Sequence, residues 1–347
     1  MDQAGRQKSK AWKITMKILV TGGLGFVGNA IVRSLLAQGH EVHALGRTSD
    51  PPLNKLIHGL HYHCHDLSGH ILKKDWFEGT DTVFHVAAKA GVGGRYEEYK
   101  LANLIATEQL LLACSQMEVS HFIYTSTPSV SFSTRPIRGG DESLPYSKEV
   151  FSPYASTKAL AEQSVLSAHN PKGMRTLALR PHLVWGHGDP HLLPRVISKH
   201  RAGKLKIVGD GKNRVDLTHL DNVVHAHLCA LRSMVSDRQL GGKAYFVGQG
   251  EPVLLWDWLN EIFSELGLPR LEKSVSYGTA YRLGHLIEGI WALFSLAGDP
   301  PMTRFVATQL AHDHWFSSLA AEKDLGYRPL IGMEEAMRKT LPWLKTL

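Results

Sequence analysis

Short apolar runs alternate with longer amphipathic stretches over the first half of the chain, and this alternation predicts strands that are followed by helices. The predicted strands are Lys17–Thr21, Glu41–Leu45, His61–His65, Thr82–Ala87, His121–Ser126 and Thr176–Leu179. The predicted helices run from a glycine-rich turn through Ile31 and Leu35 to Gly39, over Tyr99–Met117 and over Tyr154–Ala168. This succession is typical of an α/β fold, here a Rossmann-type, doubly wound parallel sheet.

The pattern changes near Pro190. Beyond it the segments are shorter and more mixed, with frequent Trp, Pro and Tyr. We therefore predict a Rossmann domain over residues 16–190 and a smaller, mainly substrate-binding C-terminal lobe over 191–347, some segments of which return to the first domain. Residues 1–15 are polar and basic and are predicted to form a disordered extension, with Met16 as an alternative start.

Composition narrows the class of protein. The chain has 347 residues, of which 43% are hydrophobic and 20% charged, so it can bury a large core. Cys64, Cys114 and Cys229 are odd in number and far apart, which argues against a disulfide framework and favours a reducing, cytoplasmic setting. The N-terminal stretch lacks the apolar core of a secretory signal, and no run of 18 apolar residues predicts a membrane-spanning helix.

A glycine-rich turn, TGGLGFVG from Thr21, follows the first predicted strand and precedes the first predicted helix. Gly22, Gly25 and Gly28 permit a tight turn and let backbone N–H groups approach a pyrophosphate at the helix N-terminus. This is the dinucleotide-binding fingerprint in the context that it requires. The alternative is a glycine-rich turn without a ligand.

The end of the second predicted strand favours NADP(H) over NAD. An acidic residue there would bind a ribose 2′-hydroxyl, but the strand ends in HALGRT, with Gly46 and Arg47. Arg47 is suited to pair with a 2′-phosphate, with a solvated surface arginine as the alternative. The domain over residues 16–190 is therefore predicted to bind NADP(H). Asp66 and Leu67, at the end of the third strand, are predicted to meet the adenine.

The third predicted strand is rich in histidine. His61, His63 and His65 share one of its faces, and Cys64 lies on the other. Such a face could bind a metal ion, but the sequence offers no evident fourth ligand. We therefore favour a histidine-rich strand and predict no metal site.

Tyr154 and Lys158, in PYASTKA, are four residues apart and share one face of a predicted helix. A phenol has an ordinary pKa of about 10, and a neighbouring ammonium is expected to lower that pKa. The pair therefore predicts proton donation to a carbonyl that is reduced, or proton abstraction from an alcohol that is oxidised.

These motifs resemble those of the extended short-chain dehydrogenases/reductases, in the 3β-hydroxysteroid dehydrogenase-like branch. The matching segments are TGGLGFVG from Thr21, FHVAAKAG from Phe84, Asn103, YTSTPSV from Tyr124, PYASTKA from Pro153 and LRPHLVWGHGD from Leu179. The resemblance implies that Tyr154 is the acid/base and that Thr127, or its neighbour Ser126, donates a hydrogen bond to the carbonyl. It also implies that Lys158 lowers the phenol pKa and binds the nicotinamide ribose, and that Asn103 supports a proton relay.

The residues that should line the cofactor site follow from the glycine-rich fingerprint, from the ends of the predicted strands and from the family resemblance. The expected cofactor-binding residues are Gly22, Gly25, Phe26, Val27, Gly28, Arg47, Asp66, Leu67, Ala87, Ala88, Lys89, Tyr154, Lys158, Pro181, Leu183 and Val184. The last three would line the nicotinamide.

Longer segments, from about Met16 to Pro329, resemble the reductases of bacterial long-chain olefin biosynthesis. The resemblance implies an NADPH-dependent reduction of a 2-alkyl-3-oxoalkanoate to the 3-hydroxy acid. The partners that it implies are a thiolase-like condensing enzyme and a β-lactone synthetase. A complex with these enzymes, a homo-oligomer and a peripheral membrane contact stay open.

Two other functions compete with this one. A 3β-hydroxysteroid or sterol-4-carboxylate 3-dehydrogenase would run related chemistry towards the ketone with NAD, and Arg47 argues against it. A non-catalytic dinucleotide sensor would have no need for Tyr154, Lys158 and Thr127 together.

A long-chain acid needs an apolar cleft and a cation for its carboxylate. The candidate cations are Arg95, His187, Arg195 and Arg214, none of which is fixed by spacing. The apolar segment Tyr281–Leu296 has four interpretations: a cap over an acyl pocket, a membrane contact, a partner surface, or a helix packed on the lobe's own core. Asp216 and Asp221 are predicted to lie at the junction of the two lobes.

The formal net charge of +7 favours polyanionic partners at first sight. The first 13 residues, however, hold four Lys or Arg and one Asp. The remaining charge is spread through the chain without a basic stripe interleaved with aromatic residues, which argues against nucleic acid. A basic tail, a phosphate-bearing cofactor and a carboxylate substrate explain the balance better.

Overall fold

The computed structural model describes residues 15–68, 72–148, 152–294, 296 and 298–347. The predicted N-terminal extension lies outside the described residues, apart from its last residue.

Strands and helices follow one another along the described chain. The strands are β1 (Lys17–Thr21), β2 (Glu41–Gly46), β3 (Leu60–Cys64), β4 (Thr82–His85), β5 (His121–Thr125), β6 (Ile137–Gly140), β7 (Arg175–Pro181), β8 (Val184–Trp185), β9 (Ile207–Val208), β10 (Arg214–Val215), β11 (Thr218–His219), β12 (Lys243–Val247), β13 (Val253–Leu254), β14 (Ser274–Val275) and β15 (His314–Phe316). The α-helices are α1 (Phe26–Ala37), α2 (Tyr96–Tyr99), α3 (Ala106–Gln116), α4 (Pro153–Ser167), α5 (Leu192–Arg201), α6 (Leu220–Ser236), α7 (Leu255–Glu265), α8 (Tyr277–Leu293), α9 (Arg304–Ala311), α10 (Leu319–Leu325) and α11 (Met333–Leu344).

A seven-stranded parallel sheet in the order β12-β7-β5-β4-β1-β2-β3 forms the frame of the molecule. The predicted Rossmann-type sheet is therefore confirmed. Six of its strands were predicted from the sequence, with ends that differ by at most two residues and that agree fully for β1. The exception is β12, which pairs with β7 through Lys243–Val247 and was not predicted.

Both faces of this sheet are covered, because alternate side chains of a strand point to opposite faces. Ile18 and Val20 of β1 pack into a core with residues of α1, α6 and α10. Leu19 of the same strand packs on the other side with residues of α3 and α4. The strand therefore reads as a continuous apolar run.

A third core collects side chains from Trp185 to Leu344. A smaller sheet, β13-β10-β15-β6, lies in this part of the chain and takes in β6 from the first half of the sequence. The division into domains at residue 190 stays a prediction.

The long helix predicted over Tyr99–Met117 is interrupted. Helix α2 ends at Tyr99, a π-helical segment runs over Lys100–Ile105, and α3 continues from Ala106. Buried Asn103 lies in the π-helical segment. π-Helical turns of this kind are frequent at functional sites.

No helix within the described part of the chain is long and apolar enough to cross a membrane.

Candidate active site

A cavity of about 570 Å³ opens where the parallel strands reach their carboxyl ends. Ligands in open α/β sheets bind at this edge. Its wall is formed by Gly22, Leu24, Gly25, Phe26, Val27, Gly28, Leu45, Gly46, Arg47, Thr48, His65, Asp66, Leu67, Ser68, Val86, Ala87, Ala88, Lys89, Ala90, Ala102, Thr125, Ser126, Thr127, Tyr154, Lys158, Pro181, Leu183, Val184, Asp189, Pro190, His191 and Leu192. All the predicted cofactor-binding and catalytic residues line it except Asn103.

The glycine turn closes tightly at the start of α1. A Cβ on Gly28 would lie 2.2 Å from the Gly22 carbonyl oxygen, so only glycine lets the helix begin this close to the strand. Gly22 has φ +67°, and a Cβ there would touch the backbone of Ala87 at 3.0 Å. The backbone N–H groups of Val86 and Ala87 donate to Thr21 Oγ1, which turns the chain away after β4 towards this glycine.

The start of α1 fits an anionic group. Its N-cap residue, Gly25, has no side chain to satisfy the first N–H groups, and no acidic residue occupies the first turn. The unpaired N–H groups and the helix dipole favour negative charge at this end. The turn therefore fits the pyrophosphate of a dinucleotide.

Helix α4 places the catalytic candidates. The Ser152 side chain accepts a hydrogen bond from the Ala155 N–H at 3.3 Å, and Pro153 occupies the first helical position, so both residues fix the start of the helix. Tyr154 consequently lies in the first turn and Lys158 one turn further on. Lys158 is 2% exposed, and its ammonium donates to the Thr125 carbonyl at 2.7 Å and lies 4.0 Å from the centre of the Tyr124 ring.

Burial governs the ionisation of this pair. It raises the pKa of the Tyr154 phenol, and the hydrogen bond with Thr127 opposes that effect. The Lys158 ammonium is directed at the Thr125 carbonyl and the Tyr124 ring, and its predicted lowering of the phenol pKa stays a prediction. Burial lowers the pKa of Lys158 itself to about 7, against the opposing charge of Glu162.

Two hydroxyl groups follow β5 in the cavity wall. The Thr127 hydroxyl accepts a hydrogen bond from the Ser129 N–H at 3.2 Å and interacts with Tyr154. The buried Ser126 Oγ has no hydrogen-bond partner among the described residues. An unpaired buried hydroxyl in such a wall fits a polar group of a ligand. Thr127 and Ser126 both remain candidates for the carbonyl donor.

Asn103 lies behind the wall and not in it. Its side chain accepts from the Lys89 N–H at 2.7 Å, donates to the Lys89 carbonyl at 3.1 Å and donates to Thr157 Oγ1 at 3.1 Å. All these bonds are internal to the protein, so the structure places Asn103 as a clamp between the segment after β4 and helix α4. Its predicted part in a proton relay stays a prediction.

The far end of the cavity holds the predicted nucleotide-selecting residues. Arg47 follows β2, is exposed and makes no ion pair among the described residues. Asp66 follows β3, and its carboxylate accepts hydrogen bonds from the Ser68 N–H and hydroxyl.

The four predicted carboxylate-binding cations lie outside the cavity wall. Arg195 pairs with Asp299 at 2.9 Å, and Arg95 pairs with Glu98 at 3.1 Å. His187 contacts the Trp343 ring, and the backbone N–H of Arg214 donates to Asp313. Sequence spacing gave no information about which cation reaches the cavity.

Some wall residues were not predicted, among them Asp189 and His191. The Asp189 carboxylate accepts hydrogen bonds from the backbone N–H groups of His191, Leu192 and Leu193 and so caps α5. An aspartate just before a helical run is a recognisable N-cap signal and could have located this helix start.

The histidine-rich strand is a stacked arrangement. The His43 ring stacks on those of His61 and His63, with its Nδ1 3.0 Å from Nε2 of His63 and its Nε2 2.8 Å from Glu41. No group of three or more His, Cys, Asp or Glu within the described residues is arranged to hold a metal ion.

Comparison with known proteins gives the family. Residues 19–276 match the 3-beta hydroxysteroid dehydrogenase/isomerase family. The chain belongs to this family. As a member, it is an oxidoreductase that acts on CH–OH or C=O groups, and its glycine turn fits the nicotinamide dinucleotide that such enzymes use.

Individual relatives cover almost the whole chain. A protein of Stenotrophomonas maltophilia named 2-alkyl-3-oxoalkanoate reductase is 43% identical over 326 residues, which cover 93% of this chain and 98% of the relative. The mouse sterol-4-alpha-carboxylate 3-dehydrogenase, decarboxylating, is 33% identical and spans 98% of this chain and 97% of its own. A UDP-glucuronic acid 4-epimerase from Bacillus cereus, solved with NAD, superposes with a TM-score of 0.74 at 22% identity over 95% of this chain and 99% of its own. This last likeness shows the fold alone.

Proposed function

We propose that this family member reduces a 2-alkyl-3-oxoalkanoate to the 2-alkyl-3-hydroxyalkanoate with NADPH, in a pathway that makes long-chain olefins. The observation that carries the proposal is the 43% identity, over nearly the full length of both chains, to the Stenotrophomonas 2-alkyl-3-oxoalkanoate reductase. The cavity supports it, because it unites a dinucleotide-fitting turn with Tyr154, Lys158 and Thr127.

Four residues of the wall have a part in the proposed reduction: Tyr154, Thr127, Ser126 and Lys158. The residues of the glycine turn would hold a nicotinamide dinucleotide, which would supply the hydride for the ketone carbon. Tyr154 keeps its proton at neutral pH, because burial raises its pKa, and donates it to the oxygen of the substrate as the negative charge develops there. Thr127 or Ser126 donates a hydrogen bond to the same oxygen. Lys158, when protonated, places a positive charge in a part of the wall that excludes water.

The choice of NADPH is argued from Arg47. The wall at the end of β2 carries a guanidinium and no carboxylate in the position that would bind a ribose 2′-hydroxyl. A 2′-phosphate matches the planar donors of arginine.

A second function is favoured by the identity to the mouse sterol-4-alpha-carboxylate dehydrogenase. Its substrate, like a 2-alkyl-3-hydroxy acid, carries a carboxylate on the carbon next to the one that is oxidised. The two functions therefore share the reaction and differ in direction, in cofactor and in the shape of the apolar group.

One assay separates these functions. Purified protein is mixed with NADPH or NADH and a synthetic 2-alkyl-3-oxo acid, and the reduced cofactor is followed by absorbance. We expect oxidation of NADPH, and a loss of about 10²- to 10⁴-fold in kcat with Tyr154→Phe, because the proton donor is removed. A preference for a 4-carboxysterol and NAD would establish the second function, and equal activity of Tyr154→Phe would contradict the mechanism.

The product of this reduction is a 3-hydroxy acid, which a β-lactone synthetase would activate further, and the substrate is the type of acid that a thiolase-like enzyme forms. We include these two enzymes as partners in the proposal. Co-purification of the chain with either enzyme from a cell that makes the olefin tests this part.

A further inference from the structure

A carboxylate substrate requires a cation near the reacting carbonyl, and the described cavity wall contains few. Its Lys and Arg side chains are Arg47, Lys89 and Lys158. Arg47 lies at the end of β2, in the nucleotide part of the site, and the Lys158 ammonium is committed to the Thr125 carbonyl. Lys89 is left.

The backbone of Lys89 is fixed relative to the catalytic helix. Asn103 binds both its N–H and its carbonyl, at 2.7 and 3.1 Å, and also binds Thr157, the residue before Lys158. The π-helical segment Lys100–Ile105 is what brings Asn103 to this position. Because Asn103 binds the Lys89 backbone and helix α4 at the same time, the starting point of the Lys89 side chain is fixed next to α4.

The ammonium itself is held loosely. It lies 2.6 Å from a carboxylate oxygen of Glu98 and 5.3 Å from the centre of the Tyr99 ring. The Lys89 and Glu98 side chains are 36% and 40% exposed, and such surface pairs contribute little to stability. Arg95 also binds Glu98, at 3.1 Å, so Glu98 keeps a cationic partner if Lys89 turns away.

Lys89 is linked to the start of the catalytic helix through Asn103. The Thr157 hydroxyl, which accepts a hydrogen bond from Asn103, donates to the Tyr154 carbonyl at 3.2 Å, and Lys89 and Tyr154 line the same cavity. The carboxylate of a 3-oxo acid is two carbon–carbon bonds of about 1.5 Å each from the carbonyl carbon. A 3-oxo acid is thus compact enough for its carboxylate and its ketone to lie together in the cavity that Lys89 and Tyr154 both line.

We propose that the Lys89 ammonium binds the substrate carboxylate, exchanging Glu98 for it, and thereby selects 3-oxo and 3-hydroxy acids over neutral ketones and alcohols. This inference rests on the proposed function. It gives the Lys89 side chain a substrate-binding role and leaves the predicted cofactor contact to the backbone of its segment.

The test compares a charged and a neutral substrate with the same reacting centre. A 2-alkyl-3-hydroxy acid and its methyl ester are oxidised with NADP⁺, a direction in which the starting acid is stable. Lys89→Met keeps the length of the side chain and removes its charge. We expect kcat/KM to fall about 50-fold for the acid and less than threefold for the ester, since a charged hydrogen bond is lost for the acid alone. Lys89→Arg restores a large part of the acid activity.

Two further measurements separate the alternatives. The dissociation constant of NADPH, from quenching of protein fluorescence, is expected to stay unchanged in Lys89→Met. A fall in cofactor affinity, or an equal loss for acid and ester, would overturn the proposal. His191 is an exposed imidazole in the same wall. The proposal would also be overturned if His191→Gln lost the selectivity for the acid while Lys89→Met kept it.

Lys243→Met serves as the control for net charge. Lys243 is 61% exposed, pairs with Asp324 at the start of β12, and does not line the cavity. We expect both substrates to be oxidised at the wild-type rate. If the wild-type enzyme oxidises neither the acid nor the ester, the proposed function fails, whereas wild-type activity with an unselective Lys89→Met loss leaves it standing and rejects the role of Lys89.

Discussion

The Lys158 side chain is almost completely buried in the cavity wall. Its pKa is lowered to about 7 because burial penalises the charged form. The ammonium is therefore present below about pH 7 and is progressively lost above it. By contrast, the phenol of Tyr154 keeps its proton throughout this range, since its pKa is raised.

From this we expect kcat/KM for NADPH to fall as the pH rises through about 7, because this quantity reports ionisations of the free enzyme. In Lys158→Arg the falling limb should disappear between about pH 6 and 9, since a guanidinium does not titrate there. A pH profile of both proteins checks this. An identical limb in Lys158→Arg would assign the titration to another group.

Arg47 permits a second prediction at this scale. Replacing it with alanine should reduce the preference for NADPH over NADH by about 10- to 100-fold, mostly through KM, because charged hydrogen bonds to the 2′-phosphate are lost. The ratio of kcat/KM values for the two cofactors measures it. Arg33→Ala is the matched control: this exposed arginine binds Asn29 and the Asn54 carbonyl and lies outside the wall. An unchanged ratio in Arg47→Ala would remove the argument for NADPH.

Residues whose position depends on one element could be predicted. Tyr154 and Lys158 need only the spacing of a helix, and Gly22 and Gly28 only the turn that precedes one. The arrangement around Lys89 could not, because it depends on Asn103, 14 residues later, and on a break in helical geometry. The raised pKa of Tyr154 could not be predicted from the sequence either, because it depends on burial by distant segments.

Two glycines of helix α8 differ in how closely they approach the rest of the protein. A Cβ on Gly284 would lie 2.6 Å from the backbone of Thr303, so the helix crosses the start of α9 at close range. A Cβ on Gly289, in the same helix, would meet nothing within 4 Å. The outer face of α8 is apolar, with exposed Leu283, Leu286 and Ile290, among others. The helix thus packs on the protein by one face. Its exposed apolar face is compatible with the other predicted roles, which are a cap over an acyl pocket, a membrane contact and a partner surface.

We expect Gly284→Ala to lower the melting temperature, with a cost of about 1–3 kcal/mol from overpacking. Gly289→Ala should raise the melting temperature, because alanine is the better helix former and adds about 0.5–1 kcal/mol to the free energy of unfolding. The two variants make the same chemical change in the same helix, so calorimetry isolates the effect of the crossing. Stabilisation by both substitutions would show that the crossing is not tight.

At the level of elements, strands with strong apolar runs were predicted within two residues of their ends. Strand β4 ends at His85 instead of Ala87, because the next two N–H groups bind Thr21 Oγ1 and leave the sheet. The helix over Tyr99–Met117 was predicted as continuous, since a π-helical turn leaves the residue composition of a helix unchanged.

Asp216 connects the parts of the whole molecule. It lies between β10 and β11, is 3% exposed, and accepts a hydrogen bond from the Phe316 N–H of β15 at 2.6 Å. A Cβ on Gly248, just after β12 of the large sheet, would lie 3.7 Å from its carboxylate carbon. Burial raises the pKa of Asp216 from an ordinary 3.8 to about 7. Asp216 therefore joins β15 to the end of β12, whereas its predicted place at a junction of two lobes stays a prediction.

A carboxyl group with a raised pKa binds its proton more tightly in the folded state, so stability falls as the pH rises from about 4 to 7. The full effect above pH 7 amounts to about 4 kcal/mol at 1.4 kcal/mol per pKa unit. Asp216→Asn, which keeps the acceptor for Phe316, should therefore raise the melting temperature at pH 8 and change it little at pH 4. A gain of the same size at both pH values would mean that the carboxyl group is not the cause.

Strand β12 has a consequence for the order of synthesis. It joins the large sheet beside β7, whose seven residues are all buried, although more than 60 residues separate the two strands. A nascent chain that ends before Lys243 leaves β7 as an open apolar edge beside the half-built catalytic wall, and such edges pair with other chains. More than two thirds of the chain must therefore be synthesised before this edge is covered, so the interval between the synthesis of β7 and that of β12 is one in which the edge is open to association with other chains.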